Sequence, residues 1–181
     1  VGGFKSTPDH DFWLIKTDRN GNLEWEQTYD LGIDQVKEIR KTSDNGYILA
    51  GTTHSFSGEN LDFWLVKTDS LGNEEWNQTY GGNEYEFANS VIQDYDNGYL
   101  VTGGTFSFGS GLEDIWLIKT DEFGNMQWDI FFGEEDNYET AISMQLTSDG
   151  NYILAGNVNT NEVGSKDLLL IKIGQNLYIE D

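Results

Sequence analysis

Asp11-Phe12-Trp13-Leu14-Ile15-Lys16-Thr17-Asp18 decides the fold. In an extended chain Phe12 and Leu14 point to one side, Trp13 and Ile15 to the other. A strand with one wet face alternates apolar and polar residues. This one is apolar on both faces, so its sheet is expected to lie between two others. The phrase returns as Asp62-Phe63-Trp64-Leu65-Val66-Lys67-Thr68-Asp69 and as Asp114-Ile115-Trp116-Leu117-Ile118-Lys119-Thr120-Asp121. A worn copy runs Asp167-Leu168-Leu169-Leu170-Ile171-Lys172-Ile173, and the offsets are 51, 52 and 53 residues. A parallel α/β sheet would also bury both faces, but it needs helices, and no segment carries a helical period of adequate length.

The remainder of each repeat supplies three more strands. Residues 88 to 132 form the clearest unit. Ala88 to Gln93 reads as a first strand and Asp96-Asn97-Gly98 as a tight hairpin turn, in which Asn and Gly supply positive φ. Tyr99 to Gly103 is a second strand and Ile115 to Thr120 the third. Asp121-Glu122-Phe123-Gly124-Asn125 is a second tight turn, its Asp placed to accept backbone N–H groups and its Gly at the left-handed position. Met126 to Phe132 is the fourth strand and carries Trp128, which matches Trp25 and Trp76. Four short antiparallel strands joined in order describe one blade of a β-propeller. The expected blades are 1–32 (partial, without a first strand), 33–83, 84–135 and 136–181, with Asn176 to Ile179 as a short last strand. The chain opens on Val1-Gly2-Gly3, which matches the middle of a unit, so it reads as a piece of something longer. Just under four blades implies a partial ring, completed by further blades or by a second copy.

Composition narrows the partners. The 181 residues are enough for one core. Aromatics are 14%, too many for a disordered acidic tail. Ten basic residues against 32 acidic give a net charge of −22. Such a surface offers nothing to neutralise phosphates, which argues against nucleic acid and anionic membranes. There is no cysteine, so thiol chemistry and Cys-ligated zinc are excluded. No apolar run reaches the length of a transmembrane helix.

Asp44-Asn45-Gly46-Tyr47-Ile48-Leu49-Ala50-Gly51-Thr52-Thr53, followed by Asp62 to Asp69 and Gly72-Asn73-Glu74-Glu75-Trp76, resembles the tandem repeats of secreted bacterial and archaeal surface propellers, and is similar to kelch repeats. The Asp69 to Trp76 run also resembles the tryptophan-docking motif of quinoprotein propellers, which is one residue longer between its Asp and its Trp. The resemblance implies an extracellular or cell-surface location and leaves the activity open, because propellers host enzymes, adhesins and scaffolds alike.

Antiparallel strand order puts the tight turns on one rim and the longer loops on the other. Function concentrates in loops carried by a rigid scaffold, so the long-loop rim is the expected binding face. Its candidates are His54, Phe56, Phe106 and Phe108 in the loops after second strands. Tyr85, Glu86, Glu135, Asp136 and Tyr138, with Asp34, Glu84 and Glu134, come from the loops before first strands. Aromatic faces beside carboxylates suit sugar rings or cationic peptides. The bland alternative is that Phe56 and Phe106 only anchor their loops. Glu134-Glu135-Asp136 has the oxygen chemistry for calcium but lacks the spaced pattern of a calcium loop, so no cofactor is expected. Two histidines, His10 and His54, offer no catalytic arrangement. The expected function is a non-enzymatic binding or scaffold module for a glycan or protein; the alternatives are a glycan-acting enzyme working through loop carboxylates, and a purely structural assembly repeat.

Overall fold

The computed structural model of the protein describes residues 2–5, 11–55, 60–160 and 166–175. Phe56, His10 and the expected strand Asn176 to Ile179 lie outside them. The described chain is all-β and is built as four antiparallel sheets. Each is a meander, its strands paired in chain order. Sheet 1 is β1 (Gly2–Lys5), β2 (Asp11–Thr17) and β3 (Leu23–Tyr29). Sheet 2 is β4 (Gly32–Lys41), β5 (Tyr47–Ser55), β6 (Leu61–Thr68) and β7 (Glu74–Tyr80). Sheet 3 is β8 (Glu86–Gln93), β9 (Tyr99–Thr105), β10 (Asp114–Thr120) and β11 (Met126–Phe132). Sheet 4 is β12 (Tyr138–Leu146), β13 (Tyr152–Asn159) and β14 (Lys166–Ile173).

Each sheet packs its face on the next one in sequence. Between sheets 1 and 2, Phe12 and Leu14 meet Leu49, Trp64 and Val66. Between sheets 2 and 3, Phe63 and Leu65 meet Val101, Trp116 and Ile118. Between sheets 3 and 4, Ile115 and Leu117 meet Met144, Tyr152 and Leu154. The two-faced repeat phrase therefore has a direct use. Its even side faces the following sheet and its odd side the preceding one. Trp64 lies 4.3 Å from Phe12 and Trp116 lies 5.1 Å from Phe63, ring centre to ring centre, in the same tilted arrangement. Fully burying side chains of this size stabilises by about 1.5–3 kcal/mol each. Each strand tryptophan also donates its indole N–H to the residue 13 places on: Trp13 to Glu26, Trp64 to Asn77 and Trp116 to Asp129.

The first strands differ from the expectation. The repeat offsets place first strands at about 36–41, 88–93 and 141–146, and β4, β8 and β12 begin earlier, at Gly32, Glu86 and Tyr138. The cause is a bulge that recurs at Val36/Glu38, Ala88/Ser90 and Ala141/Ser143. One extra residue bends the strand and lets pairing continue toward the long loops. Opposite the bulges stand Gly51, Gly103 and Gly156. A side chain on Gly51 would meet the Phe12 ring at 2.8 Å and the Val36 backbone at 2.8 Å. The earlier start moves Asp34, Glu86 and Tyr138 out of loops and into strands.

Turn chemistry agrees with the sequence at one rim and refines it at the other set of turns. Gly21, Gly72 and Gly124 hold φ of 86°, 80° and 80°. Asp18, Asp69 and Asp121 each accept two backbone N–H groups and the amide of the turn's closing Asn at 2.8–2.9 Å. That capping, led by the Asn side chain, holds all three carboxyls below their ordinary pKa. In the hairpins between first and second strands Asn45, Asn97 and Gly150 have positive φ, at 71°, 67° and 81°. Gly46 and Gly98 are there for room: a side chain on Gly46 would sit 2.9 Å from the Lys67 ammonium.

Candidate functional site

The tight-turn rim is locked from sheet to sheet. Tyr29 Oη donates to the Gly72 carbonyl at 2.7 Å and Tyr80 Oη to the Gly124 carbonyl at 2.6 Å. Trp76 Nε1 donates to the Glu122 carbonyl of the same turn at 3.1 Å. The strand tryptophans lie over these glycines, since a Cβ on Gly72 would meet Trp25 at 2.7 Å and one on Gly124 would meet Trp76 at 2.8 Å. The tryptophans thus dock each sheet onto the next turn.

The repeated lysine belongs to this rim and was not read as functional from the sequence. Lys67 Nζ contacts Asp44 at 2.8 Å and Glu75 at 2.6 Å with only 4% of its side chain exposed. Lys119 contacts Asp94 at 3.0 Å and Asp96 at 2.6 Å. Lys172 contacts Asp149 at 2.5 Å. The turn aspartate stands 23 residues before its lysine each time, a spacing legible in the sequence. Burial opposes ionisation of Asp44, but Lys67 and Thr42 outweigh it and bring its pKa down to about 2. A cleft of about 540 Å³ lies here, lined by Asp44, Lys67, Glu75, Trp76, Tyr99 and Phe123. Two of its carboxylates, Asp44 and Glu75, are already paired with Lys67.

At the long-loop rim, buried carboxylates recur at the junctions. Third strands carry Asp11, the half-buried Asp62 and Asp114 at their first or second residue; first strands contribute Asp34, Glu86 and Glu139. Glu86, expected to face a ligand, is instead fully buried. It ties two loops together, accepting from Thr105 Oγ1 at 3.0 Å, the Ser107 N–H at 3.3 Å and the Gly82 N–H at 3.0 Å. Asp34 accepts from the Leu31 N–H at 3.0 Å in the same way. Asp34, Asp62 and Glu139 all have raised pKa values, first by burial. A neighbouring carboxylate adds to each: Asp30 and Asp11 for Asp34, Glu86 for Asp62, Asp114 and Glu134 for Glu139. His54 works the other way on Asp62, lowering it. His54 is half-buried on β5 of sheet 2. Among the described residues no three acidic or histidine side chains converge as a metal set.

The exposed part of the candidate site is a row of rings on sheets 3 and 4. Tyr85 stacks on Phe87 at 6.4 Å with planes 10° apart. Phe87 meets Phe106 edge-on at 6.2 Å, and Phe106 meets Tyr138 at 6.5 Å. Tyr85, Phe106 and Tyr138 are 43%, 38% and 38% exposed. Backbone pairing holds the row, with the Phe106 N–H donating to the Tyr85 carbonyl at 3.0 Å. Phe87, the residue just before the expected first strand, was not singled out, and the pairing of β8 with β9 brings it beside Phe106. Phe108 does not join the row. It packs on Trp116 at 5.0 Å and Phe131 at 5.5 Å, anchoring its loop. Glu84, Glu134, Glu135 and Asp136 are exposed in the turns before β8 and β12. Glu134 accepts from Asn137 through both its carbonyl and its carboxylate at 3.1 Å, so the acidic run is a closed turn.

The structure therefore assembles Tyr85, Phe106 and Tyr138 with the unforeseen Phe87, buries Glu86, assigns Phe108 to packing, and leaves His54 on the preceding sheet beside Asp62. Comparison with known proteins adds no relative: no family model matches the chain, and no curated protein matches it.

Proposed function

We propose that the four sheets are consecutive blades of a β-propeller and that the chain is an extracellular binding module taking a glycan on the long-loop rim. Four meandering sheets stacked face to face in sequence order support the first part. The row Tyr85–Phe87–Phe106–Tyr138 carries the second. Three of its rings are more than a third exposed, although apolar side chains of this size ordinarily pack. Sugar rings stack their C–H faces on such a row, and the exposed Glu84 and Glu135 accept from hydroxyls. The outside location rests on the resemblance to surface propellers.

A glycan array followed by calorimetric titration tests this. Phe106→Ala and Tyr85→Ala are expected to weaken binding by about tenfold or more each, since aromatic contacts are worth about 1–2 kcal/mol when desolvated. Phe108→Ala should cost stability in preference to affinity. No retained glycan, or binding indifferent to both row substitutions, overturns the reading. Glycan turnover that disappears with Glu84→Gln or Glu135→Gln would replace a binding module with an enzyme.

A further inference from the structure

The cleft of about 540 Å³ at the junction of sheets 2 and 3 opens on the tight-turn rim, opposite the glycan row. Its size falls among ligand clefts, which run from roughly 300 to 1,000 Å³. Sheet 2 supplies Asp44 from the β4–β5 hairpin, with Glu75 and Trp76 from β7. Sheet 3 supplies Tyr99 at the start of β9, with Glu122 and Phe123 from the turn before β11. The walls are aromatic and held in place. Trp76 Nε1 donates to the Glu122 carbonyl at 3.1 Å, which fixes the indole, and Tyr99 meets that ring edge-on at 5.7 Å. The Ser43 N–H donates to Gln93 Oε1 at 2.8 Å and closes one side from sheet to sheet. Phe123 stands at the lip, 61% exposed. At the preceding junction Ser70 and Leu71 occupy the places of Glu122 and Phe123, so a carboxylate and a ring at the lip set this junction apart.

The cleft is negative. Three carboxylates, Asp44, Glu75 and Glu122, face one ammonium, Lys67, which leaves two negative charges in excess. Glu75 gives Lys67 its Oε2, yet its side chain is 46% exposed. Glu122 is exposed. All three carboxylates act on the Tyr99 hydroxyl, whose pKa is raised by burial first and then by Asp44, Glu75 and Glu122. A negative field beside aromatic faces attracts cations and repels anions.

The chain itself shows how a cation is seated here. In sheet 1, Lys16 Nζ lies over the Trp25 ring at 5.9 Å while pairing with Glu24 at 3.2 Å. Glu75 and Trp76 are the same two residues one repeat on. The lysine of that repeat, Lys67, is instead drawn down between Asp44 and Glu75, with 4% of its side chain exposed. An ammonium over Trp76 therefore has to come from outside the chain.

We propose that this cleft binds a lysine or arginine side chain of a basic peptide, its charged head against Trp76 and Phe123 and paired with Glu75 and Glu122. The site shares no residue with the glycan row, so the failure of either reading leaves the other standing.

Calorimetric titration of the full chain tests it, using a short end-capped peptide with a single lysine, its arginine version and its acetyl-lysine version. The lysine and arginine peptides are expected to bind, more weakly as salt is added, and the acetyl-lysine peptide at least about tenfold less tightly. Phe123→Ala should weaken binding about three- to tenfold and Glu122→Gln about two- to fivefold. Both residues are exposed, so circular dichroism should not change. The Trp76 indole N–H resonance, assigned by its loss in Trp76→Phe, should shift on titration. A chain of net charge −22 also attracts basic peptides diffusely. Asp167→Asn, which removes the same charge from an exposed position on β14, separates the two effects and should leave affinity unchanged. No binding tighter than about 1 mM overturns the proposal, as does an acetyl-lysine peptide that binds equally well. An Asp167→Asn loss matching that of Glu122→Gln, or an indole resonance that does not move, overturns it too.

Discussion

Gly124→Ala separates the docking of one sheet on the next from the intrinsic demand of the turn. Gly124 sits at φ +80°, and a Cβ there would meet Trp76 and Gln78 at 2.8 Å. The left-handed backbone alone costs a non-glycine residue about 1–2 kcal/mol. Crowding against a packed ring adds about 1–3 kcal/mol. Shifting the turn also strains the Tyr80–Gly124 hydrogen bond, worth about 1 kcal/mol. The sum is about 3–6 kcal/mol. Gly21 occupies the same turn position in sheet 1 at φ +86°, with nothing within 4 Å of its Cβ direction. Gly21→Ala therefore carries the backbone cost alone, about 1–2 kcal/mol. Urea unfolding of the three proteins, with slopes checked for constancy, measures both values. Thermal midpoints should fall by about 10 °C for Gly124→Ala and about 4 °C for Gly21→Ala, at roughly 2–4 °C per kcal/mol for a chain of this size. Equal losses, within about 0.5 kcal/mol, would refute the view that tryptophan docking on the turn holds adjacent sheets together.

Other perturbations probe the charged rims. Lys119→Met strands Asp94, whose side chain is 7% exposed and which also accepts from Tyr152 Oη at 2.9 Å; a loss of about 3–5 kcal/mol in urea unfolding is expected. Lys172→Met, at a pair half open to water, should be close to neutral, and equal effects at the two sites would count against burial as the deciding factor. Glu139 has a raised pKa, from burial first and then from Asp114 and Glu134, so its contribution is fully present below the ordinary glutamate value of about 4.3 and is lost as pH rises through the folded value. Glu139→Gln should therefore raise the melting temperature near neutral pH and change it little at about pH 4. The capped Asp69 and the Lys67-bound Asp44 run the opposite way: their contribution is present above about pH 4 and disappears as pH falls through their lowered pKa values, which for Asp44 is about 2. A Glu139→Gln melting temperature that is lower than wild type near neutral pH, or raised equally at about pH 4 and about pH 7, would contradict the Glu139 assignment.

The repeat made much of this structure legible in advance. The two-faced third strand, the Asp-capped turn and the docking tryptophan are local patterns, and each appears where its residues stand. The Lys–Asp pairing was equally present, as a constant spacing of 23 residues, and was passed over because lysine in an apolar strand reads as an exposed interruption. Strand starts were misplaced by two to four residues. A bulge leaves no mark of its own in the hydrophobic pattern; its trace is the small Gly51, Gly103 or Gly156 on the partner strand. Glu86 was misjudged for a related reason. A glutamate in an acidic segment looks solvated until Thr105, Ser107 and Gly82, from two other segments, close around it.

Glu38 shows the same division. In the repeat it aligns with Ser90 and Ser143. In the folded chain its Oε2 accepts from Ser90 Oγ at 2.6 Å and the Val91 N–H at 2.8 Å, and Ser90 in turn accepts the Met144 N–H at 3.1 Å. One carboxylate thereby links the first strands of three sheets.

By itself the sequence determined strand identity, turn type and the number of repeats, because these depend on residues within a few positions of one another and recur on schedule. It also marked the third strands as two-faced, and those of sheets 2 and 3 are covered on both faces. Only the tertiary structure decided which carboxylates are sealed, which rings join in a row and which sheet face stays open. Those outcomes depend on neighbours about fifty residues away, and a repeat position carries the same letter whether it is buried, as at Leu117, or exposed, as at Leu170.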